Sequence, residues 1–134
     1  ASYVSTAPLG FPLKEKTLAV WVQLDTLDQQ GGGVMTVQDL TGNVFDSIVF
    51  GEQRAAHWIA GSDLFNRTSD LTAPPETKAH KTPVHLAIVY GLDGTITFYR
   101  NGQPHGKSYS SKGPVQFASG NAQVLFGNRH GIDL

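Results

Sequence analysis

The stretch from Val84 to Gly106, VHLAIVYGLDGTITFYRNGQPHG, leaves this chain few folds to choose from. Val84, Leu86, Ile88 and Tyr90 alternate with His85, Ala87 and Val89, the period of two that a pleated strand requires. Asp93-Gly94 follows, a pair that tolerates positive φ and suits a tight hairpin turn. Thr95-Ile96-Thr97-Phe98-Tyr99 is β-branched and aromatic, as strands favour, and Asn101-Gly102 closes the run with the strongest short hairpin signal. The stretch is a β-meander, and the rest of the chain is read as built around it.

Upstream, residues 1–13 are punctuated by Pro8, Gly10 and Pro12 and read as an irregular lead-in with one short edge strand. Thr17 to Leu24 is the first clear strand. Leu18, Val20, Val22 and Leu24 share one face and Ala19 and Trp21 the other, so it is expected to be central and covered on both sides. A polar loop ending in Gly31-Gly32-Gly33 lacks the Lys-Ser/Thr and helix of a phosphate-binding loop. Val34–Asp39 and Val44–Phe50 are expected to pair across residues 40–43, and Ala55–Ala60 forms a short strand. Residues 61–83, with Pro74, Pro75 and Pro83, read as a long exposed or functional loop. Residues 107–112 extend the meander, and Gln123–Gly127 is the last strand. Eight to ten strands, no convincing helix and regular turn signals define an all-β sandwich.

Composition narrows the functions. A chain of 134 residues is expected to be one domain, 1–134, large enough for a core without staples. Its formal net charge of -1 offers no basic stripe, which argues against nucleic acid and anionic membranes as partners. No apolar run approaches the ~20 residues of a membrane span. Cysteine is absent, which removes disulfides, thiolate metal sites and cysteine nucleophiles together. The start at Ala1-Ser2-Tyr3, without Met or a signal-peptide pattern, is read as a processed product or an excerpt.

His85-Leu-Ala-Ile-Val-Tyr90, the Asp93-Gly94 turn and Tyr99-Arg-Asn-Gly-Gln-Pro-His-Gly106 together resemble the laminin G-like domains of the concanavalin A-like lectin/glucanase superfamily. Leu18–Val22 resembles the early strand that places a Trp in the core of those domains. Phe45–Glu52, Trp58–Ser62 and Phe126–His130 are similar to a bacterial branch found in large secreted proteins. The resemblance spans about residues 14–131. It implies an antiparallel β-sandwich of jelly-roll type and an extracytoplasmic location. It also implies a further strand opening with Gly-x-Ile-Asp beside the first one. Gly131-Ile132-Asp133-Leu134 reaches only the start of that strand, so the sandwich is expected to lack it, either because the chain is cut or because another chain supplies it.

The superfamily includes glycoside hydrolases whose acids share one strand face, Glu-x-Asp-x-x-Glu or Glu-x-Asp-x-Glu. No such array is present, and Asp46 and Glu52 on one strand would stand about 20 Å apart, beyond the ~5–9.5 Å between glycosidase carboxyls. The chain is therefore read as non-catalytic. His57, His80, His85, His105 and His130 carry no zinc-type spacing. His85 is read as structural and His105 as solvated. The family often holds calcium at the sandwich rim, for which Asp39, Asn43, Asp63 and Asp70 are the candidate ligands, with turn capping as the competing role.

The favoured constellation is aromatic and cationic. Trp58 would offer an apolar platform to a sugar, with His57, Arg67, Arg129 and His130 as donors to hydroxyls, carboxylates or sulfates. Trp58 in the core and Arg67 paired with Asp63 or Asp70 are the competing readings. The expectation is a carbohydrate-binding, lectin-like module of a secreted or cell-surface protein, taking an oligo- or polysaccharide. The alternative is an assembly domain that gains a strand from a neighbouring protein chain.

Overall fold

The structure, a computed structural model, describes residues 3–127. In chain order the strands are β1 (Val4–Ser5), β2 (Lys16–Val22), β3 (Gly32–Asp39), β4 (Phe45–Phe50), β5 (Trp58–Ser62), β6 (Val84–Tyr90), β7 (Thr95–Arg100), β8 (Gln103–Pro104), β9 (Tyr109–Ser110) and β10 (Ala122–Phe126). A single 3-10 turn at Asp63–Phe65 is the only helical element among them.

The meander forms where local chemistry dictates. Gly94 turns at φ 91°, and the Asp93 carboxylate accepts the Thr95 N–H at 2.9 Å. Asn101 and Gly102 both take positive φ, 50° and 79°, as a two-residue hairpin of this hand needs. β6 then pairs with β7 in register from Tyr90↔Ile96 to Leu86↔Arg100, and the turn delivers the chain into β8. β9 rejoins the other half of β7.

Two antiparallel sheets result, ordered β1-β10-β3-β4-β5 and β2-β6-β7-β8, with β9 also on β7. They stack as a jelly-roll sandwich. Ile48, Phe50, Trp58, Ala60, Val37 and Ala122 from one sheet meet Leu18, Leu86, Ile88, Tyr90, Ile96 and Phe98 from the other. At about 25 cal/mol per Å² of apolar surface removed from water, this face-to-face burial is the main force holding the layers together.

β2 departs from expectation. It sits at the edge of its sheet and, among the described residues, pairs only with β6, from Lys16↔Tyr90 to Val22↔Val84. Leu18 faces the core, but Thr17, Ala19, Trp21 and Gln23 are exposed. An apolar residue on each face reads identically for a buried central strand and for an edge strand with a surface aromatic. Only the stacking of the sheets separates the two.

Candidate functional site

The residues expected to bind sugar are mostly engaged elsewhere. Trp58 belongs to the core at 2% exposure, tilted against Phe50 with ring centroids 4.6 Å apart. Its Nε1–H donates to Glu76 Oε1 at 2.8 Å, so neither its face nor its polar tip is open to a ligand. The expected Trp58 platform is corrected accordingly: the ring is large enough to fill the space between sheets, and a buried carboxylate satisfies its N–H.

Arg67 is likewise spent. Its Nε donates to Asp46 Oδ1 at 2.8 Å, and one terminal nitrogen donates to Phe45 O at 2.9 Å and to Asp63 Oδ1 at 2.6 Å. Lys16 Nζ reaches the other Asp46 oxygen at 2.7 Å and lies 4.2 Å from the Tyr90 ring centroid. Burial pushes Lys16 below its usual range despite Asp46. Burial also works against the Arg67 charge, but Asp46 and Asp63 outweigh it and raise its pKa. This is a buried ion cluster joining the sheets. His57 is half-buried, its Nδ1 2.8 Å from Ala55 O. Arg129 and His130 lie outside the described residues.

The calcium candidates do not converge. The Asp39 carboxylate caps its own turn, accepting from the Thr41 hydroxyl and the N–H groups of Asn43 and Val44. Asn43 is exposed, and lines one shallow cavity with Asp63. Both Asp63 oxygens are already engaged, by Phe45 N–H and Arg67 on one and Asn66 on the other. Burial would raise the Asp63 pKa, but Arg67 and the Phe45 N–H hold it below the usual carboxylate range. Asp70 pairs with Arg54 at 2.9 Å and accepts the Thr72 N–H. A hard cation needs several convergent oxygens, and among the described residues no group of three or more His, Cys, Asp or Glu side chains could hold a metal. These four residues do not fit a calcium ion, and turn capping and ion pairing account for them.

The most exposed aromatic ring among the described residues lies on the outer face of β2 and β6. Trp21 is 67% exposed. It stands directly across from His85, the ring centroids 5.2 Å apart and the planes at 65°. His85 is tied to the β7–β8 turn from both sides: its N–H donates to Asn101 Oδ1 at 2.8 Å and its carbonyl accepts the Asn101 N–H at 2.7 Å. That leaves the Asn101 amide nitrogen without a partner among the described residues. Trp21, Pro83, His85, Asn101 and Gly102 line an open cavity of about 540 Å³, within the size range of ligand sites. The ring supplies an apolar plane, and the imidazole and the amide supply hydrogen-bonding groups at its edge.

Trp21 was legible as facing away from Leu18, yet the resemblance assigned it to the core. The signal that places it outside is the company on its face, Thr17 and Gln23, both exposed. His105, read as solvated, is half-buried and packs 5.7 Å from Phe98. The role of Glu76 carried no sequence signal at all.

Fold and surface together define a two-sheet, all-β sandwich with a buried apolar layer and Trp21 exposed on an outer face. The family model Laminin_G_3, of the concanavalin A-like lectin/glucanases superfamily, matches residues 1–133, and the chain belongs to this family. None of the curated proteins matches the chain.

Proposed function

We propose that residues 1–134 act as one non-catalytic, carbohydrate-binding domain that reads its ligand on Trp21. The observation that carries this reading is the exposed Trp21 ring beside His85 and Asn101 in one open cavity. A pyranose presents a patch of C–H bonds on one face and hydroxyls around its rim, which matches an indole plane with polar groups at its edge. The family is compatible: laminin G-like domains often bind carbohydrates or proteins, are generally non-catalytic and are commonly extracellular. Hydrolysis has little support, because the most buried carboxylates, Asp46 and Glu76, are each neutralised by cations. No helix among the described residues is long and apolar enough to cross a membrane.

The test is a glycan-array screen in calcium and then in EDTA, repeated with Trp21→Ala. Selective binding should fall at least tenfold, about 1.4 kcal/mol, in the variant while its circular dichroism and Tm stay unchanged, because an exposed ring carries little of the fold. Binding should also survive EDTA. An empty array for folded protein, or binding indifferent to Trp21→Ala, sinks the reading.

A second reading, recognition of a protein partner by strand addition, is favoured by the β2 edge. Among the described residues nothing pairs with it on the side away from β6, and beside it lies a cavity of about 430 Å³ lined by Val20, Val22, Val34 and Phe126. An unpaired edge offers a row of N–H and C=O groups to an added strand. Amide hydrogen exchange along residues 17–22 should then alternate, fast where the N–H faces the open edge and slow where it bonds β6. Uniform protection would mean that the edge is already covered and that this reading fails.

A further inference from the structure

Among the described residues, exposed large apolar side chains gather on the loops at one end of the sandwich: Phe11, Leu40, Leu64, Phe65 and Leu92. The strand registers put all five there. Leu40 lies in the β3–β4 turn, and Leu64 and Phe65 follow Ser62, the last residue of β5, which pairs with Asp46 near the start of β4. Lys16, the first residue of β2, bonds Asp46 across the layers and pairs with Tyr90. The β6–β7 turn, with Leu92 at its tip, therefore reaches the same end. Phe11 follows Leu9, which bonds Ala122 and Gly120 at the start of β10. The loops of the opposite end, residues 23–31, 51–57, 78–83 and 101–102, carry no exposed large apolar side chain.

Leu64, at 90% exposure, and Phe65 are held outward by the backbone. Their φ angles are 51° and 54°, a left-handed conformation that bulky residues rarely adopt. Arg67 pins the turn, donating to Phe45 O and Asp63 Oδ1. Strain of this kind persists only where the surroundings impose it, and it clusters at functional positions. The tips also keep backbone donors paired locally, as a low-dielectric medium demands. Gly42 N–H donates to Asp39 O, Asn66 N–H to Asp63 O, Thr68 N–H to Phe65 O and Gly94 N–H to Gly91 O. Exposed charges beside them are mixed, Lys14 and Lys112 against Glu15 and Asp93, which suits a surface of no net charge. The apolar side chains stand on four separate loops with polar residues between them. A fluid hydrocarbon layer takes up such separate projections, whereas a helix or an added strand needs a continuous groove or edge. We propose that this end docks onto a zwitterionic lipid bilayer, the five side chains entering the boundary between headgroups and acyl chains. Trp21 pairs with His85 towards the other end of β2, so a docked domain keeps its cavity clear of the lipid.

The test floats the whole chain with phosphatidylcholine vesicles on a density gradient. The protein should rise with the vesicles, and added phosphatidylserine or higher salt should change this little, because the contact is apolar. Leu64→Asn should lower the partition coefficient roughly tenfold by removing the most exposed tip. Its Tm should hold or rise, because Asn accepts the left-handed backbone that strains Leu. Leu92→Ser should weaken flotation as well, whereas Val4→Ser, an exposed apolar residue on β1 away from this end, should not. Protein that stays at the bottom of the gradient overturns the proposal; if it then sediments as a dimer that Leu64→Asn dissociates, this end meets a second copy. Flotation undiminished in the Leu64→Asn, Leu92→Ser double variant places the lipid contact elsewhere. Flotation only with phosphatidylserine makes the contact electrostatic. Either result also overturns the proposal.

Discussion

At the scale of a residue, Glu76 ties together three parts of the chain. It is 3% exposed, and its two oxygens hold Trp58 of β5, Arg100 of β7 and the backbone of its own loop at Thr77, Lys78 and Ala79. Its own N–H donates to Ala56 O at 2.7 Å. Burial by itself would raise its pKa, yet Arg100 and Trp58 more than offset this and hold it at about 2. Its folded pKa is thus depressed below the ordinary glutamate value. The stabilisation is complete above about pH 4.5 and is lost as the pH falls towards about 2. Thermal melts should accordingly show a Tm that declines across that window, with a shallower decline in Glu76→Gln, which has no carboxylate there to protonate. Glu76→Ala removes the acceptor of a buried indole and of a partly buried guanidinium, and should cost about 3–5 kcal/mol in urea titrations. Wild-type slope in Glu76→Gln, or a loss under 1 kcal/mol in the alanine variant, would assign the loop's anchoring elsewhere.

At the scale of an element, two glycines at the ends of the same short strand separate conformation from space. Gly102 before β8 and Gly106 after it have nearly the same backbone, φ 79° and 77°. A Cβ on Gly102 would meet nothing within 4 Å, whereas one on Gly106 would lie 2.1 Å from the Leu71 carbonyl oxygen. Gly102→Ala should therefore cost about 1 kcal/mol, the left-handed penalty alone. Gly106→Ala should cost that and a further ~1–3 kcal/mol, because the chain at Leu71, whose carbonyl also accepts the Lys107 N–H at 2.7 Å, has to move. Equal losses by chemical denaturation would show that this contact yields without strain. The hairpin at Asn101-Gly102 was legible in the sequence because its cause is local, two residues that tolerate positive φ. The close approach at Gly106 was not, because its partner lies in another loop.

At the scale of the molecule, the sheets are joined by charge as well as by apolar packing. Lys16 on β2 and Arg67 beyond β5 converge on Asp46 of β4, whose side chain is fully buried. Asp46→Ala would strand Lys16 in the interior and leave Arg67 only Asp63 and the Phe45 carbonyl, and should lower stability by about 3–5 kcal/mol, measured by urea unfolding; Lys16→Met leaves the Asp46–Arg67 pair intact and should cost clearly less. The reverse order would move the weight of the cluster from Asp46 to Lys16. The two tryptophans show where reading a chain by itself stops. Alternation placed Trp21 and Trp58 on strands, but it does not say whether a strand lies at the edge of its sheet or which face meets the other layer. The stacking put Trp21 outside, where the family resemblance had implied the core, and Trp58 inside, the competing reading to the sugar platform. What the sequence by itself determined are the features with local causes: the strand parities, the two hairpins of the meander, the turn glycines and the all-β class. Which aromatic meets solvent, which carboxylates are neutralised and which clefts open were decided only by tertiary structure. The partners involved are far apart along the chain: Glu76 and Arg100 lie 24 residues apart, Lys16 and Asp46 30. Only the closing of one sheet on the other brings them within hydrogen-bonding distance.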